Sequence, residues 1–244
     1  MSLLSDLKVL YHLALKPVRG KDHAARMENF YSGQAAAYDD FRKRLLKGRQ
    51  ELWNAIDVPT GGIWVDMGGG TGSNLENFGD QLEKLSKVYV VDLSHSLLEM
   101  ARQKVKDKGW TNVEPVEADA TIFRPPAGPA DVVTFSYSLT MIPDWFAAIE
   151  NACAMLKPGG LIGVVDFYVS RKYPRDGLNR HGWFTRTFWP TWFGMDNVFP
   201  SPDHVPFLHQ HFEPLVFEEH RCRVPYLPVS TPYYWFVGRK KEGK

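Results

Sequence analysis

Residues 65–78 read VDMGGGTGSNLENF. An apolar run ends in Asp66, turns through Gly68, Gly69, Gly70 and Gly72, and enters a polar segment of helical character. Glycine takes positive φ without strain and lets a ligand approach the backbone. In open α/β sheets ligands bind beyond the carboxyl ends of the strands, where such a turn sits. The spacing argues against the GxGxxG dinucleotide fingerprint. Counted from Gly68 that pattern requires glycine where Ser73 stands; counted from Gly69 it requires glycine where Thr71 stands. What remains is an acid followed by alternate glycines: Asp66, Gly68, Gly70, Gly72.

Strand and helix signals alternate outward from this turn. Short apolar runs at 63–67, 88–92, 113–118, 131–136 and 161–167 predict strands. Segments 75–85, 96–108 and 145–156 predict the helices between them, the last stopped by Lys157-Pro158-Gly159-Gly160. Such alternation implies a parallel sheet covered on both faces. Runs at 217–224 and 233–239 predict a closing antiparallel pair. Asp92 ends the second strand, twenty residues past Gly72. A carboxylate there suits ribose hydroxyls, although it could equally cap the helix that follows. Asp119, after the third strand, is placed for an adenine amino group or for a turn cap.

Glycine turn, Asp92, Asp119 and the Lys-Pro-Gly-Gly turn occur in one order. On these motifs residues 63–167 resemble the seven-stranded, Rossmann-like superfamily of S-adenosylmethionine-dependent methyltransferases. The resemblance implies an α/β fold with a doubly wound, mostly parallel sheet, and S-adenosyl-L-methionine as cofactor. It implies a cofactor set of Asp66, Gly68, Gly70, Gly72, Asp92, Leu93, Asp119, Ala120 and Ser136, joined by Arg42, with Asp66 helping to hold the cofactor's ammonium. A single domain over 1–244 is expected: a helical lid at 1–60, the cofactor core at 61–170, and a substrate-covering insertion with the last strands at 171–244.

Composition narrows the field. Apolar residues make up 44% and charged residues 23%, and the net charge is +1. The chain therefore has material for a core and no global field for nucleic acid, and no nucleic-acid partner is expected. Cys153 and Cys222 have no metal or redox spacing, which fits a reducing compartment and a cytoplasmic location. His204, His209 and His211 match no metal template, so no metal is expected. The leading segment lacks a signal-peptide cleavage site, and no apolar run reaches membrane-spanning length.

Helices are predicted at 6–15, 23–31 and 35–56. The first is amphipathic, through Leu3, Leu7, Leu10 and Tyr11; it either packs on the domain or meets the inner face of a membrane. Residues 1–50 hold ten Lys or Arg against five acids, a balance that suits an anionic surface or a solvated face. The segments LKPVRGKDH (15–23), ENFYSGQAAAYDDFR (28–42) and LLKGRQELW (45–53) resemble the methyltransferase of betaine-lipid synthesis. That resemblance implies three methyl transfers to the amino nitrogen of diacylglyceryl-homoserine. It implies a lipid or small-molecule amine as substrate and an association with the enzyme that makes it.

The emerging cation would need aromatic faces. Tyr31, Tyr38 and Tyr137 are the catalytic candidates, with Phe167, Tyr168 and Trp183 as further wall residues. Arg42, Arg171, Lys172, Arg175 and Arg180 are candidates for gripping a carboxylate. Residues 181–199 contain seven Trp or Phe and read as an insertion on which acyl chains rest or as core packing. The rival readings are a C-methyltransferase of ubiquinone or menaquinone biosynthesis, a small-molecule N-methyltransferase, and a non-catalytic cofactor-binding partner.

Overall fold

A computed structural model describes residues 45–225 and 228–241. Seven strands form one sheet in the order β3-β2-β1-β4-β5-β7-β6. They are β1 (Ile63–Met67), β2 (Lys87–Asp92), β3 (Val113–Glu117), β4 (Ala130–Ser136), β5 (Leu156–Phe167), β6 (Phe212–Arg223) and β7 (Ser230–Lys240). β1 to β5 run parallel, and β7 enters antiparallel between β5 and β6. The described helices are α1 (Arg49–Asn54), α2 (His95–Lys108), α3 (Trp145–Met155), α4 (Trp183–Gly194) and α5 (His204–His211).

Side chains alternate across a sheet with period two, so a central strand feeds two cores. Every residue of β1 is buried. Ile63, Val65 and Met67 join α3 in one core; Trp64 joins α1, α4 and Phe78 in the other. Burial on both faces makes β1 a continuous apolar run, and Asp66 is the exception that needs partners. α2 starts at Ser94, whose hydroxyl accepts from the Leu97 N–H, and stops at Gly109 with φ 67. Both ends follow common capping chemistry.

Three expected elements differ. The helix expected at 35–56 is broken at Gly48, which has φ 83. A Cβ there would lie 2.7 Å from the Tyr233 ring, so the chain turns where only glycine fits. The helix expected at 75–85 is a 3-10 segment, Ser73–Lys84, interrupted at Gly79 with φ 53 and ψ −136. The turn expected at Lys157-Pro158-Gly159-Gly160 lies inside β5, which starts at Leu156, and α4 and α5 form where no helix was expected. The helices expected at 6–15 and 23–31, and Tyr31, Tyr38 and Arg42, lie outside the described residues. Among those residues no helix is long and apolar enough to cross a membrane.

Candidate active site

Strand order reverses between β1 and β4, since β2 leads away on one side and β5 on the other. A crevice opens at such a switch point. A cavity of about 410 Å³ lies there, lined by the glycine turn, the ends of β2 and β4, and the segments after β3 and β4.

Asp66 builds the turn from behind. It is fully buried, and it accepts hydrogen bonds from Thr134 Oγ1 at 2.8 Å and Asn74 Nδ2 at 2.9 Å. Trp64 Nε1 donates in turn to Thr134 Oγ1 at 3.0 Å. Burial pushes the Asp66 carboxyl up to about 6 against the pull of these donors. Asp66 does not line the cavity. Its carboxylate ties β1, β4 and Asn74 together. Gly72 is not on the wall either; its φ of 67 starts the 3-10 segment. Gly68 and Gly70 are on the wall, with φ 67 and 55. A Cβ on Gly68 would fall 2.4 Å from Ser138 Cβ.

Asp92 lines the cavity and stiffens its rim. Its Oδ2 accepts from the Gly70 N–H at 2.9 Å and its Oδ1 from the Ser94 N–H at 2.9 Å. Each carboxylate oxygen keeps lone-pair capacity for a hydroxyl. Asp119 accepts from the Thr121 N–H and hydroxyl, both at 2.8 Å and both on Oδ1. Leu93, Ala120 and Ser136 also line the wall.

Two residues on the wall carry buried polar atoms with no hydrogen-bond partner among the described residues: Ser136 Oγ and Asn74 Oδ1. Orphaned polar groups in a buried wall are costly unless a ligand satisfies them. Arg49 lines the same cavity, with its guanidinium 5.5 Å from the Tyr137 ring centre. Arg42, expected to join the cofactor set, lies outside the described residues, and Arg49 and Asn74 are wall residues that no motif points to. Arg49 lies in the LLKGRQELW segment and Asn74 just beyond the last glycine. Their meeting depends on the break at Gly48. Acceptors at Asn74 and Ser136, a guanidinium at Arg49, and carboxylates at Asp92 and Asp119 fit an amino-acid tail, a ribose and an adenine. The donor set therefore suits S-adenosyl-L-methionine.

Tyr137 lines the cavity at φ 55, and its hydroxyl donates to the Lys47 carbonyl at 2.6 Å. Burial raises its pKa well above the ordinary tyrosine value. Its hydroxyl clasps the segment that leads to Arg49. Phe167, Tyr168 and Trp183 are absent from the cavity wall. Phe167 stacks on Phe193, the Tyr168 hydroxyl donates to Glu219, and Trp183 is exposed. Arg171 pairs with Asp203; it and Lys172, Arg175 and Arg180 do not line the cavity. The far wall is Met141, Ile142 and Pro143, beside Asp144, which caps α3 through the Ala147 N–H.

A doubly wound seven-stranded sheet with a glycine-turn cavity at its switch point defines the Rossmann-like methyltransferase class. The family model described as a methyltransferase domain matches residues 35–211, and the chain belongs to that family. Curated relatives include proteins named ubiquinone/menaquinone biosynthesis C-methyltransferase UbiE. The one from Shewanella piezotolerans is 28% identical over 162 residues, 64% of each chain. The one from Pseudomonas fluorescens is 29% identical over 169 residues, 67% of this chain and 66% of its own. The chain thus spans about 64% of the length of the first of these relatives. Among solved structures, N-methyltransferase NodS from Bradyrhizobium japonicum WM9, in complex with S-adenosyl-L-homocysteine, is 16% identical with a TM-score of 0.63. That match covers 91% of this chain and 100% of NodS, and shows likeness of fold.

Proposed function

We propose that this chain is an S-adenosylmethionine-dependent N-methyltransferase whose acceptor is the amino group of diacylglyceryl-homoserine, methylated three times to the betaine lipid. The observation that carries the cofactor half is the one cavity wall that Arg49, Asn74, Ser136, Asp92 and Asp119 share. When bound, S-adenosyl-L-methionine supplies a methyl group on a sulfonium, which leaves readily.

The chain's own residues then have a limited task. Asp92 and Asp119 orient the nucleoside, and Arg49 holds a carboxylate. The walls keep water from the transfer, so positioning supplies most of the rate. The acceptor amine attacks as the neutral base; the first two transfers each release a proton to water, and the third leaves a quaternary nitrogen with none to lose. Support for a lipid acceptor comes from the leading segments that resemble betaine-lipid methyltransferases and from the apolar far wall at Met141, Ile142 and Pro143. A second reading, C-methylation of a quinone precursor, is favoured by the names of the curated relatives.

One assay separates them. The full chain is incubated with methyl-labelled cofactor and either diacylglyceryl-homoserine or demethylated quinone, and products are resolved by mass spectrometry. The proposal expects mono-, di- and trimethylated lipid. Label on the quinone and none on the lipid overturns it.

A further inference from the structure

α4 buries Thr185, Trp189 and Phe193, leaves Trp183 and Phe184 exposed, and holds Phe188 and Trp192 half-buried between. Phe184 stacks on Phe188 at 5.0 Å, and Phe188 meets Trp192 at 5.0 Å. Trp183 at 73% and Phe184 at 59% are among the most exposed large apolar side chains described. Clustered exposed aromatics mark a contact surface. The loop before α4 is closed at its base by a reciprocal pair: Ser170 N–H donates to His181 Nδ1 at 2.9 Å, and His181 N–H to Ser170 Oγ at 2.8 Å. Its Tyr173 is 72% exposed, with Lys172 Nζ 5.3 Å and Arg180 Cζ 5.5 Å from the ring centre. Residues 170–189 hold five Lys or Arg against one acid, Asp176.

We propose that the outer face of α4 and the loop before it dock on an anionic lipid bilayer, Trp183 and Phe184 entering the interface and Lys172 and Arg180 meeting headgroup phosphates. Aromatic rings backed by basic side chains are the chemistry of interfacial binding. Charge selects this occupant. A two-fold contact with a second copy would set the basic loop against itself. The chain's own leading fifty residues carry an excess of the same sign. The surface is also tied to the cavity: the Phe199 N–H, just past α4, donates to the Thr140 carbonyl at 2.7 Å, and Met141 and Ile142 line the far wall. The inference stands whichever acceptor is methylated.

The test is co-sedimentation of the full chain with vesicles of phosphatidylcholine alone and of phosphatidylcholine with about one-third phosphatidylglycerol. Binding is expected only to the anionic vesicles and weakens with salt. Trp183→Ser with Phe184→Ser, and separately Lys172→Glu with Arg180→Glu, are each expected to lower partitioning about tenfold or more. Melting temperature should stay unchanged, since all four side chains are exposed. Wild-type binding retained by both variants places any docking elsewhere and overturns the proposal. So does a wild type that ignores anionic vesicles, or one that self-associates through this face instead.

Discussion

Asp166 closes β5 with its carboxylate fully buried. It accepts from the Thr140 hydroxyl and the Phe167 N–H at 2.8 Å each, and from the Thr140 N–H at 3.1 Å. Through Thr140 it fixes the segment that forms the far wall of the cavity. Burial outweighs these donors and pushes its carboxyl up to about 7. The unfolded chain gives up this proton near 3.8 and the folded chain only near 7. Its contribution to stability is therefore complete below the lower value and is lost as pH rises through the upper one. Chemical denaturation between about pH 5 and pH 7 is expected to show the wild type losing roughly 1–3 kcal/mol more than Asp166→Asn. Parallel pH profiles for the two proteins would remove Asp166 as the cause. The difference isolates Asp166 from Asp66 and Asp196, whose carboxyls are also raised by burial. At this scale the sequence was legible where position along a strand decides the role. Asp92 closes β2 and Asp119 follows β3, and both line the cavity. An acid near the end of a buried strand either faces a ligand or serves the scaffold. Which one holds for Asp66 depends on Thr134, sixty-eight residues away.

Elements carry a different lesson. β1 was legible to the residue because burial on both faces leaves an uninterrupted apolar run. The helix expected at 96–108 forms within one residue of those bounds, between caps at Ser94 and Gly109. Gly48 and Gly79 broke two expected helices, since periodicity registers the apolar side chains and passes over the glycine between them. Glycines also differ in what they do, which a pair of variants would expose. Gly68→Ala puts a Cβ 2.4 Å from Ser138 Cβ at φ 67. Gly109→Ala has the same φ with open space around it. Gly109→Ala is expected to cost about 1 kcal/mol of stability with ligand affinity intact. Gly68→Ala should cost roughly twice that or more and also abolish binding of S-adenosylhomocysteine. Thermal melts and titration check both; equal behaviour of the two variants would mean that Gly68 serves the turn alone.

At the scale of the whole molecule, alternating strands and helices foretold the doubly wound sheet and the antiparallel closing pair. The order β3-β2-β1-β4-β5-β7-β6 puts the switch point, and with it the cavity, above β1 and β4. The glycine turn was therefore a sound guide to where the cavity opens. Arg49 and Asn74 escaped because they meet Ser136 from separate elements only after folding. The aromatic stretch at 181–199 divides between core and surface, with Trp189 and Phe193 inward and Trp183 and Phe184 outward, a split set by helical phase and invisible to composition. The central claim is that the cavity at the switch point holds the nucleoside of S-adenosylmethionine through Asp92. Calorimetric titration of S-adenosylhomocysteine into wild type and Asp92→Ala tests it directly. Binding by the wild type, weakened by about 1–3 kcal/mol in the variant, is the predicted result. Equal affinity in the two proteins, or binding of NAD in preference to S-adenosylhomocysteine, would contradict it.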